Sequence, residues 1–262
     1  MVDGLAARGW ARLGPDPALA GWAAAALPAA RAAVADPALR AAWLDCEGTW
    51  FVGVDALLTD AEGRLPGGPP LPRAARAPLE AVLGPLPPLH RAQLSVVWPG
   101  YPRPRRGESS AAFGYRARRD AAHVDGLLPE GPERRRHLRE PHAFILGLPL
   151  TEAGRGASPL VVWDGSHEIM RAAFAAALRG RAPERWGEAD LTDTYQAARR
   201  RVFETCRRVE VTARPGEAIV VHRLALHGVA PWAEGAEAPP EGRMIAYFRP
   251  QFADPARWLE AP

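Results

Sequence analysis

Ala122-His123-Val124-Asp125-Gly126 is the stretch on which the reading of this chain turns. In an extended segment the side chains at i and i+2 point to the same face. His123 and Asp125 then present an imidazole nitrogen and a carboxylate oxygen to one point, while Val124 turns away. One more imidazole from a neighbouring strand completes three ligands on one face of a divalent metal, with the other coordination positions open. Two histidines and one carboxylate in that arrangement suit non-haem iron that binds oxygen and a co-substrate. A lone H-x-D also arises by chance as a surface or core pair, so its surroundings decide. The candidate third ligands are His222 and His227, on either side of a strand end that follows the turn Arg214-Pro215-Gly216-Glu217.

Outward from that motif the texture is strands. Gln93–Trp98 is one, ended by Pro99-Gly100, and His142–Leu150, Pro159–Trp163, Arg208–Thr212, Ala218–His222 and Arg243–Phe252 follow. Residues 166–206 read as a helical insertion broken at Pro183 and Gly187, and Trp232–Gly242 as a flexible loop. The N-terminal part, to about residue 90, is mostly helical. A short strand Gly9–Leu13 precedes a helix capped by Asp16 with Pro17 in its first turn, and a second helix opens at Asp36-Pro37. Thr49–Leu57 reads as a strand and Arg76–Leu83 as a short helix. Short strands punctuated by turns, without the strand-helix alternation and glycine-rich phosphate turn of a Rossmann fold, predict a mainly β protein with flanking helices. The core expected is a jelly roll (double-stranded β-helix) forming one domain over 1–262, with an N-terminal helical layer and the 166–206 insertion.

Bulk properties exclude several classes. With 262 residues and 47% hydrophobic content the chain can bury one large core. All 33 basic residues are arginine, set against 30 acidic ones, so the net charge of +3 gives no basic arm for nucleic acid. Cys46 and Cys206 lie far apart without C-x-x-C spacing, as expected of two reduced thiols. No run approaches the roughly 18 uninterrupted apolar residues of a membrane span, and Asp3, Arg8 and Arg12 interrupt any signal-like segment. A cytoplasmic protein with no membrane and no nucleic-acid partner is the expectation.

The order of features resembles the phytanoyl-CoA dioxygenase family of iron(II)/2-oxoglutarate oxygenases. Val96-Val97-Trp98-Pro99-Gly100 leads by a loop to His123-Val124-Asp125. Ile145–Leu150 leads to Leu160-Val161-Val162-Trp163-Asp164-Gly165-Ser166-His167, with Asp164 where the family has proline. Gly216-Glu217 then leads to His227-Gly228, with Glu217 where the family has aspartate. The likeness extends to the opening strand and helix and is patchy between about residues 40 and 90. It implies iron(II) on His123, Asp125 and His227, with His222 only near the pocket and His167 in a structural turn. It implies 2-oxoglutarate as co-substrate with O2, its distal carboxylate taken by Arg243, with Arg249 as the alternative. A guanidinium fork suits a carboxylate because it donates two parallel hydrogen bonds. Gln93 and Trp163 are further candidates to line the co-substrate site. The reaction implied is hydroxylation or another oxidation of a small organic substrate, with release of succinate and CO2.

Two arginine runs flank the motif, Tyr115-Arg116-Ala117-Arg118-Arg119 and Arg134-Arg135-Arg136. They read either as solvated loop faces or as a pocket rim that receives an anionic substrate. The insertion is a candidate lid. Two other readings stand beside the oxygenase: a divalent-metal hydrolase using the same ligands, and a non-catalytic jelly-roll binding protein.

Overall fold

The computed structural model describes residues 3–262. Its elements are α1 (Asp3–Arg8), β1 (Trp10–Leu13), α2 (Pro17–Ala35), α3 (Pro37–Trp43), β2 (Leu44–Asp45), β3 (Trp50–Leu57), α4 (Arg73–Leu83) and β4 (Ala92–Val97). There follow α5 (Ser110–Arg118), the hairpin β5 (Leu127–Glu130) and β6 (Arg135–Leu138), β7 (Phe144–Pro149) and β8 (Leu160–Trp163). The chain continues with α6 (Ser166–Leu178), α7 (Thr192–Thr205), β9 (Arg208–Val211), β10 (Ala218–His222), β11 (His227–Val229), β12 (Arg243–Phe248) and α8 (Arg257–Glu260). The caps are those the sequence predicts. Asp16 accepts hydrogen bonds from the Ala18 and Leu19 amides at 2.8 and 3.2 Å, and Asp36 from the Leu39 amide at 2.9 Å.

Two antiparallel sheets face each other. The larger runs β1-β10-β7-β12-β4-β3-β2 and the smaller β11-β8-β9. A bridge between His123 and His227 adds the H-x-D segment to the edge of the smaller sheet. Following the chain, β4, the His123 segment, β7, β8–β9, β10, β11 and β12 pass alternately between the sheets, which is the winding of a double-stranded β-helix. The predicted jelly roll is present.

Period-2 alternation decides what each strand offers to the interior. On β12, Met244, Ala246 and Phe248 turn outward into the cluster beneath α2 and α4, where Trp22 meets Phe248 at 5.7 Å between ring centroids. Each such fully buried large side chain contributes roughly 1.5–3 kcal/mol. The opposite face of β12 carries Arg243, Ile245 and Tyr247 to the space between the sheets. On β8, Leu160 and Val162 point inward, and Val161 and Trp163 outward against the insertion. Helix α2 is long and apolar enough to cross a membrane by length and composition, but Leu19, Trp22, Ala23, Ala26, Ala30 and Ala33 are buried within the fold.

Two elements differ from expectation. The approach to H-x-D contains α5, capped by the Ser109 hydroxyl on the Ala112 amide at 3.2 Å, where a loop is expected. Arg134–Arg136, expected in a loop, enter the β5–β6 hairpin. Only Leu127 and Leu138 of the hairpin are buried, so it carries no apolar alternation to read.

Candidate metal centre

The main chains of His123 and His227 exchange hydrogen bonds, N–H to O, of 2.8 and 3.0 Å. Residues directly opposite in an antiparallel pair project to the same face, and the two imidazole centroids lie 4.6 Å apart. The close approach depends on Gly228, where a Cβ would stand 2.1 Å from the Asp120 carbonyl oxygen. Asp125 comes to the same face two residues after His123, while Val124 is buried in the opposite cluster with Ala122 and Leu127. Gly126, at φ +84°, then turns the chain against the Glu140 carbonyl.

The ligand atoms of His123, Asp125 and His227 all lie within 4.8 Å of one another. Asp125 Oδ1 is 3.1 Å from His123 Nε2 and 3.8 Å from His227 Nε2. Each imidazole directs Nδ1 at a carbonyl two residues before it, Ala121 at 3.0 Å and Ala225 at 2.9 Å. Nδ1 must therefore carry the proton, which leaves the Nε2 lone pair facing the shared point. Burial, then the neighbouring His123, pushes the His227 imidazole down to about 4. Burial raises the Asp125 carboxyl, but the Arg249 guanidinium beside it holds it well below the usual carboxylate range. Neutral imidazoles and an ionised carboxylate are the protonation states a divalent metal requires.

The triad opens on a cavity of about 300 Å³. Gln93 lines it, with Trp50, Ser95, Tyr247 and Arg249. Arg249 Nη1 sits 3.2 Å from Asp125 Oδ2. Its carbonyl is gripped by two ring nitrogens, His90 Nε2 at 2.8 Å and His142 Nδ1 at 2.7 Å. Arg243 is buried at the start of β12, the far end of the strand from Arg249, beside a separate small cavity of about 20 Å³ that Thr151 and Ile219 also line. Tyr247 lies between the two arginines in sequence. Arg243 Nη1 and Arg249 Nε are both buried without a hydrogen-bond partner.

Trp163 is not at this cavity. As an outward residue of β8 it packs edge-on against Phe203 of α7 at 5.3 Å, so its expected role in lining the co-substrate site is corrected. His222 shares the outward face of β10 with Ala218 and Val220 and meets the His167 ring at a tilt, 4.8 Å between centroids, away from the triad. The insertion covers the outer face of the smaller sheet and contributes nothing to the walls of the triad cavity. Trp50, Ser95 and Tyr247 went unrecognised in the sequence. Their inward parity on β3, β4 and β12 is the signal that marks them once the sheet order is known.

No family model and no curated relative matches this chain, so the phytanoyl-CoA dioxygenase resemblance stands on the motif order alone. Among solved structures the chain is similar to EctD from S. alaskensis with bound Fe, at 16% identity over 94% of this chain and 74% of that one, with a TM-score of 0.47. It is similar to the non-heme alpha-ketoglutarate-dependent carbocyclase SnoK from nogalamycin biosynthesis, at 15% identity over 97% and 83%, with a TM-score of 0.43. HygX from Streptomyces hygroscopicus, with nickel, 2-oxoglutarate and hygromycin B bound, matches at 13% identity over 95% and 85%, with a TM-score of 0.43. These are likenesses of fold, and the grouping of His123, Asp125 and His227 is a property of this chain's own geometry.

Proposed function

We propose that this protein is an iron(II)/2-oxoglutarate-dependent dioxygenase that oxidises a small organic substrate. The observation that carries the reading is the triad itself: two imidazole Nε2 lone pairs and one carboxylate oxygen converge on one point beside a cavity. Such a set leaves coordination positions open to a co-substrate and oxygen. When bound, iron with 2-oxoglutarate and O2 supplies the oxidising chemistry, leaving succinate and CO2.

The protein's part is to hold and orient. His123 and His227 are fixed by the strand ladder, and the Arg249 guanidinium steadies Asp125. A dicarboxylate co-substrate needs a cationic group towards each end. Arg249, next to the metal ligands, suits the near carboxylate; Arg243, whose buried Nη1 has no partner, is the candidate for the distal one, although it lines the separate small cavity and not the triad cavity itself. Gln93 and Tyr247 are placed to contact the carbon chain between them.

A hydrolase with the same metal ligands would need a general base. Apart from Asp125, Glu140 is the carboxylate lining the cavity, and its hydrogen bond from His142 holds it below the usual range, which makes it a weak one. The test is succinate formation from 2-oxoglutarate in air. Iron-loaded protein should form succinate slowly without substrate and stop when zinc replaces iron. Absence of succinate across a panel of organic acids and amines, from protein shown to hold iron, would contradict the proposal.

A further inference from the structure

A second cavity of about 360 Å³ adjoins the first, and Trp50 and His123 belong to the walls of both. Five guanidinium groups line it, those of Arg105, Arg116, Arg119, Arg136 and Arg199. Two are neutralised: Arg116 by Glu108 at 2.7 Å and Arg105 by Asp45 at 2.9 Å. Among the described residues no carboxylate pairs with Arg119, Arg136 or Arg199. They rest instead on aromatic faces and neutral oxygens. Arg119 lies 4.4 Å from the Phe203 centroid and Arg136 4.9 Å from that of Tyr195, with Nη1 donating to the Leu127 carbonyl at 3.0 Å. Arg199 donates to the Tyr115 hydroxyl at 2.9 Å.

Three elements far apart in sequence converge here: the end of α5, the strand β6 and the inserted helix α7. Other arginines of the same runs do not reach the cavity, and Arg135 pairs with Glu133 and Asp190. Stacking on a ring leaves the in-plane N–H donors of a guanidinium unused. Three like charges around one concavity repel each other and raise the local potential for anions. An oxyanion relieves both.

We propose that this cavity binds a phosphate or carboxylate group of the substrate. Resting on the dioxygenase reading, that anchorage lays the rest of the substrate across His123 towards the metal. The insertion, through Arg199, thus helps select the substrate.

Metal-free protein separates this proposal from the dioxygenase reading. Titrated by calorimetry with inorganic phosphate and, separately, with acetate, the wild type should bind at least one, and the tighter names the group. Arg119→Gln/Arg199→Gln should weaken that binding at least tenfold. Arg119→Gln alone, a change at an exposed side chain, should weaken it several-fold with the fold intact. The exposed control Arg134→Gln/Arg200→Gln should not change it. Binding of neither anion, equal binding by the cavity variants, or an equal loss in the control would overturn the proposal. The iron–2-oxoglutarate visible band, followed separately, should survive in Arg119→Gln/Arg199→Gln. If the wild type lacks the band but binds phosphate, only the dioxygenase reading fails.

Discussion

His123 and His227 are bound to each other through their own main chains, N–H to O in both directions at 2.8 and 3.0 Å. The spacing of their imidazoles is therefore set by a strand ladder, and the edge of the smaller sheet and the candidate metal site are the same piece of structure.

Metal binding should accordingly stabilise the whole fold. At a free metal concentration 100 times Kd the gain is about 2.7 kcal/mol, which for a chain of this size raises Tm by roughly 5–10 °C. Differential scanning fluorimetry with iron(II) under nitrogen, or with nickel(II) in air, should show the rise, and EDTA should reverse it.

Gly228 makes the ladder possible. A Cβ there would meet the Asp120 carbonyl oxygen at 2.1 Å, a main-chain atom with no freedom to swing aside. Gly228→Ala should destabilise by about 2–4 kcal/mol in urea unfolding and weaken metal binding with it. Gly21→Ala is the contrast. That glycine is exposed in α2 with open space where its Cβ would go, and the change should stabilise by about 0.5–1 kcal/mol.

Acid should destabilise the metal-free protein in a way traceable to His222. Burial, then Arg223, His167 and Arg171, holds this imidazole well below 6.5. Below pH 6.5 the unfolded chain takes up a proton that the folded chain refuses, so stability present above 6.5 is lost as pH falls. The slope for one such group approaches about 1.4 kcal/mol per pH unit. His222→Gln should remove that much of the slope in chemical denaturation between pH 6.5 and 5, the remainder belonging to His167 and His227.

Arg243 at the start of β12 and Arg249 just beyond its end should separate by role. Arg243→Ala should raise the KM for 2-oxoglutarate at least tenfold and leave iron binding unchanged. Arg249→Ala should weaken iron binding as well, because Asp125 loses its 3.2 Å partner. If Arg243→Ala leaves the KM unchanged, Arg249 is the distal anchor.

The H-x-D face, the strand sequence of the jelly roll and the Asp16 and Asp36 caps were legible because each is a local pattern. Position 227 as the third ligand was not legible from the residues alone, and His222 competed with it. The strand β10 is buried on both faces, so no polar alternation reveals which way His222 points. The direction of Trp163 is hidden for the same reason, since every residue of β8 is buried. The contact between Arg249 and Asp125 joins residues 124 apart and depends on register between strands. The arginine cavity joins a helix, a hairpin and an insertion that no local pattern connects.

The central claim is best tested by adding iron(II) and then 2-oxoglutarate to the protein without oxygen and recording the weak visible charge-transfer band of the chelate. The account predicts one iron per chain and a band in the wild type and in His222→Ala, with the band lost in His227→Ala and His123→Ala. A well-folded wild type with no band, or a band that survives in His227→Ala but disappears in His222→Ala, would contradict it.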